Sequence, residues 1–131
     1  MKQTLLIYFA TAAGFFALDM LWLGLIAKNF YREKLGFIFT GEVDWRAAAL
    51  FYILYLGGLV YFGVIPGLKD SQWTTALFNS ALYGFVCYAT YDLTNKATIK
   101  QWPWLVVGID LLWGVVVSSF AGIIGYWVGT R

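Results

Sequence analysis

The chain has 131 residues, of which 61% are hydrophobic, 21% are aromatic and only 12% are charged, and its formal net charge is +2. A soluble domain carries about 25% charged residues, and one of this size could not bury so much apolar surface, so lipid is the expected solvent for much of the chain. The small charge gives no reason to expect nucleic-acid binding, and the lack of histidine with a single cysteine, Cys87, excludes internal disulfides and zinc or haem sites built on those ligands. We expect no bound metal and no cofactor.

Four apolar stretches are each long enough to cross a bilayer as a helix, which takes about 20 residues. They cover residues 5–27, 47–66, 75–94 and 104–128. Their continuous hydrophobicity, without strict alternation, favours helices over barrel strands. Pro66 is expected to end the second helix, and Pro103 suits the first turn of the fourth. The sequence therefore predicts an all-α polytopic membrane protein, with residues 1–131 forming a single up-down bundle of four transmembrane helices.

The connection over residues 28–46 is the longest and most polar segment, yet its middle contains aromatic and aliphatic side chains. Such a mixture is typical of a short amphipathic helix lying on the membrane surface, and a solvated loop is the alternative. Basic residues set the orientation of a membrane protein, since they concentrate in cytoplasmic loops. The first and third connections carry six Lys and Arg residues and the opposite side carries three. This distribution places loops one and three in the cytoplasm and both termini outside.

Three aspartates, Asp19, Asp92 and Asp110, fall inside or at the edge of these apolar stretches. A carboxylate in hydrocarbon is costly, so such residues mark a functional site by default. Because consecutive helices alternate in direction, all three should lie in the half of the membrane nearer loops one and three. Two of them begin the same short pattern, Asp-x-x-Trp, which ends at Trp22 in the first helix and at Trp113 in the last.

The predicted site combines these acids with nearby aromatic and amide side chains. Asp19 and Asp110 are the candidate catalytic acid/base pair. The candidate ligand-binding residues are Trp22, Tyr88, Tyr91, Asp92, Asn95 and Trp113. Three chemical interpretations remain open: carboxyls that exchange protons, a hard cation held by the acids, or acids that only accept hydrogen bonds from indoles and phenols. For Asp92 alone, an ion pair with Lys96 is a further alternative.

The last helix also carries small residues at helical spacing, at Gly114, Ser118 and Gly122, continued by Gly125 and Gly129. Such a pattern lets helix backbones approach closely in lipid. It predicts that this face of the helix, which includes Asp110, packs against protein.

The runs Leu18–Trp22 and Tyr91–Asn95, the Trp102-Pro103 pair and the segment from Val107 to Gly114 together resemble a family of small bacterial membrane proteins known only as a domain of unknown function. The resemblance covers most of the chain. It implies a bacterial inner-membrane location and about four spans, and it implies no activity.

Three functions fit these patterns. The first is binding or acid/base transformation of a lipid-like or isoprenoid-like small molecule, with Trp22 and Trp113 walling the pocket. The second is a proton-coupled small transporter, which the paired Asp-x-x-Trp patterns on antiparallel helices favour. The third is a structural or assembly protein without catalysis. The expected partners are membrane lipids, a hydrophobic small molecule and a second copy of the chain in a homodimer, with no nucleic acid.

Overall fold

A computed structural model describes residues 2–39 and 41–131, and all regular structure in these residues is helical. The five helices are α1, Lys2–Ile26; α2, Lys28–Leu35; α3, Trp45–Asp70; α4, Trp73–Thr98; and α5, Trp104–Gly129. The four long helices form the predicted bundle, and α2 is the short helix predicted in the first connection. The all-α, four-helix prediction is therefore confirmed.

Helices α1, α3 and α5 are long and apolar enough to cross a membrane. Helix α4 has 26 residues, the same length as α3 and α5, but its composition is more polar. It packs along α5 in the most extensive helix interface of the described residues. Its polar side chains Ser80 and Asp92 are buried there, which explains how a less apolar helix joins the bundle.

Pro66 does not end the second long helix, contrary to the prediction, because α3 continues to Asp70. A π-helical turn, Val60–Val64, ends two residues before the proline, and the Ile65 N–H donates to the carbonyl of Val60 five residues earlier. Proline lacks an N–H and crowds the preceding turn of an α-helix, and the wider π turn provides a local adjustment that accommodates it. Pro103 is the N-cap residue of the last helix, immediately before Trp104 and one position ahead of the predicted first turn.

The two halves of α3 pack differently. The backbone of the second half, from Val60 to Asp70, lies close against α4, whereas the backbone of the first half, Trp45–Leu59, approaches α1 and α4 at few points. The buried side chains of the first half, Tyr55, Leu56 and Leu59, all lie near its end. Asp44 caps this first half, its Oδ1 accepting from the N–H groups of Arg46 and Ala47 at 3.1 and 3.4 Å. The bundle is therefore tight at the loop-two end and looser at the end of loops one and three.

Four exposed tryptophans stand at the ends of the long helices. Trp45 and Trp104 begin α3 and α5 at one end of the bundle, while Trp73 begins α4 and Trp127 lies near the end of α5 at the other. Tryptophan is enriched at both membrane–water interfaces. This arrangement matches a bilayer around the bundle.

The small-residue face of α5 lies where the helices approach most closely, as predicted. A Cβ on Gly114 would lie 2.5 Å from the ring of Tyr88 on α4, and one on Gly129 would lie 2.6 Å from Leu68 on α3. Gly125 faces Thr11 of α1 in the same way. The small size of the residues on this face lets α5 contact all three other long helices.

Candidate functional site

A cavity of about 560 Å³ lies in the loose end of the bundle. It is bounded by the second half of α1, by α2, by the first half of α3, by the second half of α4 and by the first half of α5. Its lining is mainly aromatic and apolar: Asp19, Trp22, Leu23, Tyr31, Leu35, Phe39, Phe51, Tyr52, Cys87, Tyr88, Tyr91, Asp110 and Trp113. The cavity lies where the backbone of the first half of α3 approaches its neighbours at few points.

Asp19 of α1 reaches the cavity and bonds across to α5. Its Oδ1 accepts from the indole Nε1 of Trp113 at 3.1 Å, and the residue is 7% exposed. The ring of Trp113 stacks on Trp22, with centroids 4.6 Å apart and an interplanar angle of 12°. The two indoles therefore form a stacked pair between α1 and α5.

Asp110 of α5 is linked to Trp22 of α1 by the hydroxyl of Tyr31 on α2. The Tyr31 hydroxyl donates to Oδ1 of Asp110 and accepts from the indole Nε1 of Trp22 at 3.3 Å. Tyr31 lies outside the spanning helices, and burial, followed by the neighbouring Asp110 carboxyl, raises the pKa of its phenol above the ordinary value. The phenol thus stays protonated at physiological pH and remains a donor.

The two Asp-x-x-Trp patterns are connected reciprocally. Asp19 of the first pattern accepts from Trp113 of the second, and Trp22 of the first is joined to Asp110 of the second through the Tyr31 hydroxyl. Because α1 and α5 are antiparallel, like sequences on the two helices place each acid beside the tryptophan of the other.

Asp92 lies next to the site and does not line it. It is fully buried between α4 and α5, where its Oδ1 accepts from the indole Nε1 of Trp102 at 3.3 Å. Its Oδ2 has no donor among the described residues, and the Asp110 carboxyl is its close neighbour. Trp102 thus anchors the segment before α5 to the end of α4.

The structure brings together most of the residues predicted for the site. Asp19, Trp22, Tyr88, Tyr91, Asp110 and Trp113 all line the cavity. Asp92 and Asn95 do not, since Asp92 faces α5 and the half-buried Asn95 lies one turn beyond the lining of α4.

The suggested ion pair between Asp92 and Lys96 is not formed. The Lys96 Nζ donates to the carbonyl of Lys100 at 3.4 Å and lies 5.5 Å from the ring centroid of Trp104. In the described ranges, the single ion pair joins Arg46 to Asp44 on the surface. Each of the three buried acids therefore accepts a hydrogen bond from an uncharged donor through one of its oxygens.

Sequence reasoning missed two of these donors, Tyr31 and Trp102. Tyr31 follows the first span by a few residues, and its spacing of four from the buried Leu35 places both on one face of α2. Trp102 resembles an interfacial tryptophan in sequence, yet it is 1% exposed. Chemistry could have pointed to these two residues. Each buried acid needs a hydrogen-bond donor, and Trp and Tyr side chains are nearby donors without charge.

The acids do not form an arrangement suited to a metal ion. In residues 2–39 and 41–131, no group of three acidic or cysteine side chains has the geometry to hold one. The interpretation that the three aspartates share a hard cation therefore lacks a structural basis. What the cavity offers is two carboxyl groups from different helices, the phenols of four tyrosines and a set of aromatic faces.

The fold and the cavity define a small polytopic helical membrane protein with buried acidic residues. Over residues 4–127 the chain matches the family described as "Predicted membrane protein (DUF2177)", and it belongs to that family. The resemblance noted from the sequence motifs is thereby confirmed. No curated protein and no solved structure matches the chain.

Proposed function

We propose that the protein binds a lipid-like or isoprenoid-like small molecule in the cavity between its helices. The carrying observation is the cavity itself, about 560 Å³, lined mainly by aromatic and apolar side chains with a carboxyl from α1 and another from α5. Small-molecule sites commonly have about 300–1,000 Å³, an apolar lining and a few polar groups that fix orientation.

We further propose that Asp19 and Asp110 act on the bound molecule as an acid/base pair. Isomerisation of a double bond requires a proton delivered to one of its carbons and another removed from the allylic carbon next to the other. Hydration requires a proton delivered to one carbon while water adds to the other and loses a proton. Two carboxyl groups can supply and take up these protons without a cofactor. Tyr31 would hold Asp110 in place through the hydrogen bond between them.

A structural function is the second candidate, and the hydrogen-bond pattern supports it. Every buried acid accepts a bond from an indole or phenol of a different segment: Asp19 from Trp113, Asp110 from Tyr31 and Asp92 from Trp102. Such bonds fix how α1, α2, α4 and α5 pack even if no ligand binds.

Filling the cavity separates the two candidates. Cys87 lines the cavity, whereas its neighbour Val86 is exposed on the outer face of α4. We expect wild-type protein purified in a maltoside detergent to retain a small hydrophobic molecule, detected by mass spectrometry after solvent extraction. Cys87→Phe should lower the retained amount at least about tenfold, and Val86→Phe should leave it unchanged. Equal retention by both folded variants would contradict ligand binding in this cavity.

The acid/base function has its own test, because an asparagine keeps the acceptor oxygen while losing the transferable proton. In cells that depend on the protein, we expect Asp19→Asn and Asp110→Asn each to change the lipid or pigment profile as deletion does. Both variants should accumulate and melt like wild type. A wild-type profile in both variants would leave only the binding or structural function.

We also propose a bacterial inner-membrane location with loops one and three in the cytoplasm, as the distribution of Lys and Arg suggests. Lys34 in α2 and Lys69 near the end of α3 are exposed at opposite ends of the bundle. In a Cys87→Ala background, a membrane-impermeant maleimide added to spheroplasts should label Lys69→Cys and spare Lys34→Cys until the membrane is permeabilised. The reverse labelling pattern would invert the proposed orientation.

A further inference from the structure

We infer that the ligand of this cavity is an amphiphile with an organic cation as its head, a protonated amine or a quaternary ammonium group. This inference rests on the proposed binding of a ligand in the cavity, independently of the acid/base chemistry, and names the chemical class of that ligand. Its basis is a cavity that two carboxyls face and aromatic rings line, and whose described lining contains no basic side chain.

The ionisable acids and bases in the described cavity lining are all acids. Asp19 and Asp110 face the cavity from α1 and α5, and the described lining contains no Lys or Arg. Asp19 is 7% exposed and uses one oxygen, Oδ1, to accept from Trp113, while its other oxygen has no donor among the described residues. A buried carboxylate is costly without a partner of opposite charge, and a positive ligand would provide that partner.

The aromatic rings add a second form of cation recognition. Trp22 and Trp113 stack on one another beside Asp19, and Tyr52 and Tyr88 line the same cavity from α3 and α4. The face of an aromatic ring attracts a cation within about 6 Å, and enclosed aromatic surfaces are used to bind quaternary ammonium groups. An anionic head would meet two acids and no cation here, so it is disfavoured.

The same geometry provides a path for an apolar tail. Leu23 on α1 and Phe51 on α3 line the cavity and are 45% and 53% exposed, so the cavity is open at these residues. The backbones of α1 and α3 approach each other at few points. A hydrocarbon chain can therefore leave the cavity between α1 and α3 and enter the surrounding lipid.

The inference is tested with three probes that share a twelve-carbon chain: dodecyltrimethylammonium, dodecanol and dodecanoate. Each is titrated into purified wild-type protein in maltoside detergent, and binding is followed by quenching of tryptophan fluorescence and by native mass spectrometry. We expect saturable binding of the cation at least about tenfold tighter than that of the alcohol, and no competition by the carboxylate. In the double variant Asp19→Asn and Asp110→Asn, the affinity for the cation should fall to that for the alcohol.

The outcomes distinguish the inference from the proposed function. Equal affinity of wild type for cation and alcohol, with both excluded by Cys87→Phe, would overturn the cationic head and leave binding in the cavity intact. If wild type binds none of the probes in a way that Cys87→Phe abolishes, both the cationic head and binding in the cavity are overturned. If the double variant fails to fold, the comparison of cation with alcohol on wild-type protein still decides the inference. A preference for the cation that persists in a folded double variant would also overturn it.

Discussion

Replacing Gly84 with alanine is expected to lower the free energy of unfolding by about 1–3 kcal/mol, because the new methyl group has no room between α4 and α5. A Cβ on Gly84 would collide with the backbone carbonyl oxygen of Gly114 and with the Oγ of Ser118. A backbone oxygen cannot rotate away, so the two helices would have to separate. This contact belongs to the most extensive interface in the bundle.

Gly108→Ala is the matched control on the facing helix. Gly108 is exposed on α5, and a Cβ there would meet nothing within 4 Å. Alanine favours a helix over glycine by up to about 1 kcal/mol, so this variant should be as stable as wild type or slightly more stable. Unfolding of both purified variants by increasing mole fractions of sodium dodecyl sulfate, followed by circular dichroism, measures the difference.

The effect of Gly84→Ala should extend to the cavity. The close approach of α4 and α5 places the ring of Tyr88 against Gly114, and Tyr88 lines the cavity from α4. Separating the helices would move that ring relative to Asp110. If Gly84→Ala unfolds at the wild-type midpoint while Gly108→Ala behaves as expected, the helices are not as close as the structure places them.

The architecture was accessible from sequence because it follows from hydrophobic length and from alternating helix direction. Those two properties predict four long helices and place Asp19 and Asp110 at the same end of the bundle, where both line one cavity. The amphipathic connection likewise predicts α2. None of these inferences requires knowledge of which face of a helix points inward.

The details that sequence reasoning missed depend on rotation about the helix axis and on contacts distant in the chain. A span that is apolar all round carries no pattern that distinguishes its lipid face from its protein face. Tyr88 and Asp92 are four residues apart and were expected to act together, yet Tyr88 lines the cavity and Asp92 turns toward Trp102. Tyr31 comes from a connection, and nothing local in the sequence shows that it reaches Asp110, 79 residues later.

Tyr31→Phe is expected to release α2 from the bundle while leaving the long helices folded. The hydroxyl is the shared partner of Trp22 and Asp110, donating to one and accepting from the other. Its removal leaves an indole N–H and a carboxyl oxygen without their partners, and an unsatisfied buried polar group costs about 1–3 kcal/mol. Because Tyr31 is only partly buried, water can replace some of the loss, and we expect a net cost of about 1–3 kcal/mol for docking α2.

Limited proteolysis measures this docking directly. Arg32 and Lys34 are exposed trypsin sites within α2, and cleavage there requires the helix to open. When opening is fast relative to cleavage, the rate follows the population of the open form, so Tyr31→Phe should be cut about ten to a hundred times faster than wild type. Tyr61→Phe is the control, since Tyr61 is 66% exposed on α3 and forms no hydrogen bond with the described residues.

The ligand-binding and the structural function proposed for the acids predict different effects of Tyr31→Phe on ligand binding. If Tyr31 also positions Asp110 against a ligand, Tyr31→Phe should weaken binding of dodecyltrimethylammonium as well as loosen α2. If the hydrogen bonds serve packing alone, cleavage should accelerate with no change in ligand retention. Cleavage at the wild-type rate in Tyr31→Phe would show that α2 is held by its apolar contacts, chiefly the buried Leu35, and that the bond between Tyr31 and Asp110 does not determine its position.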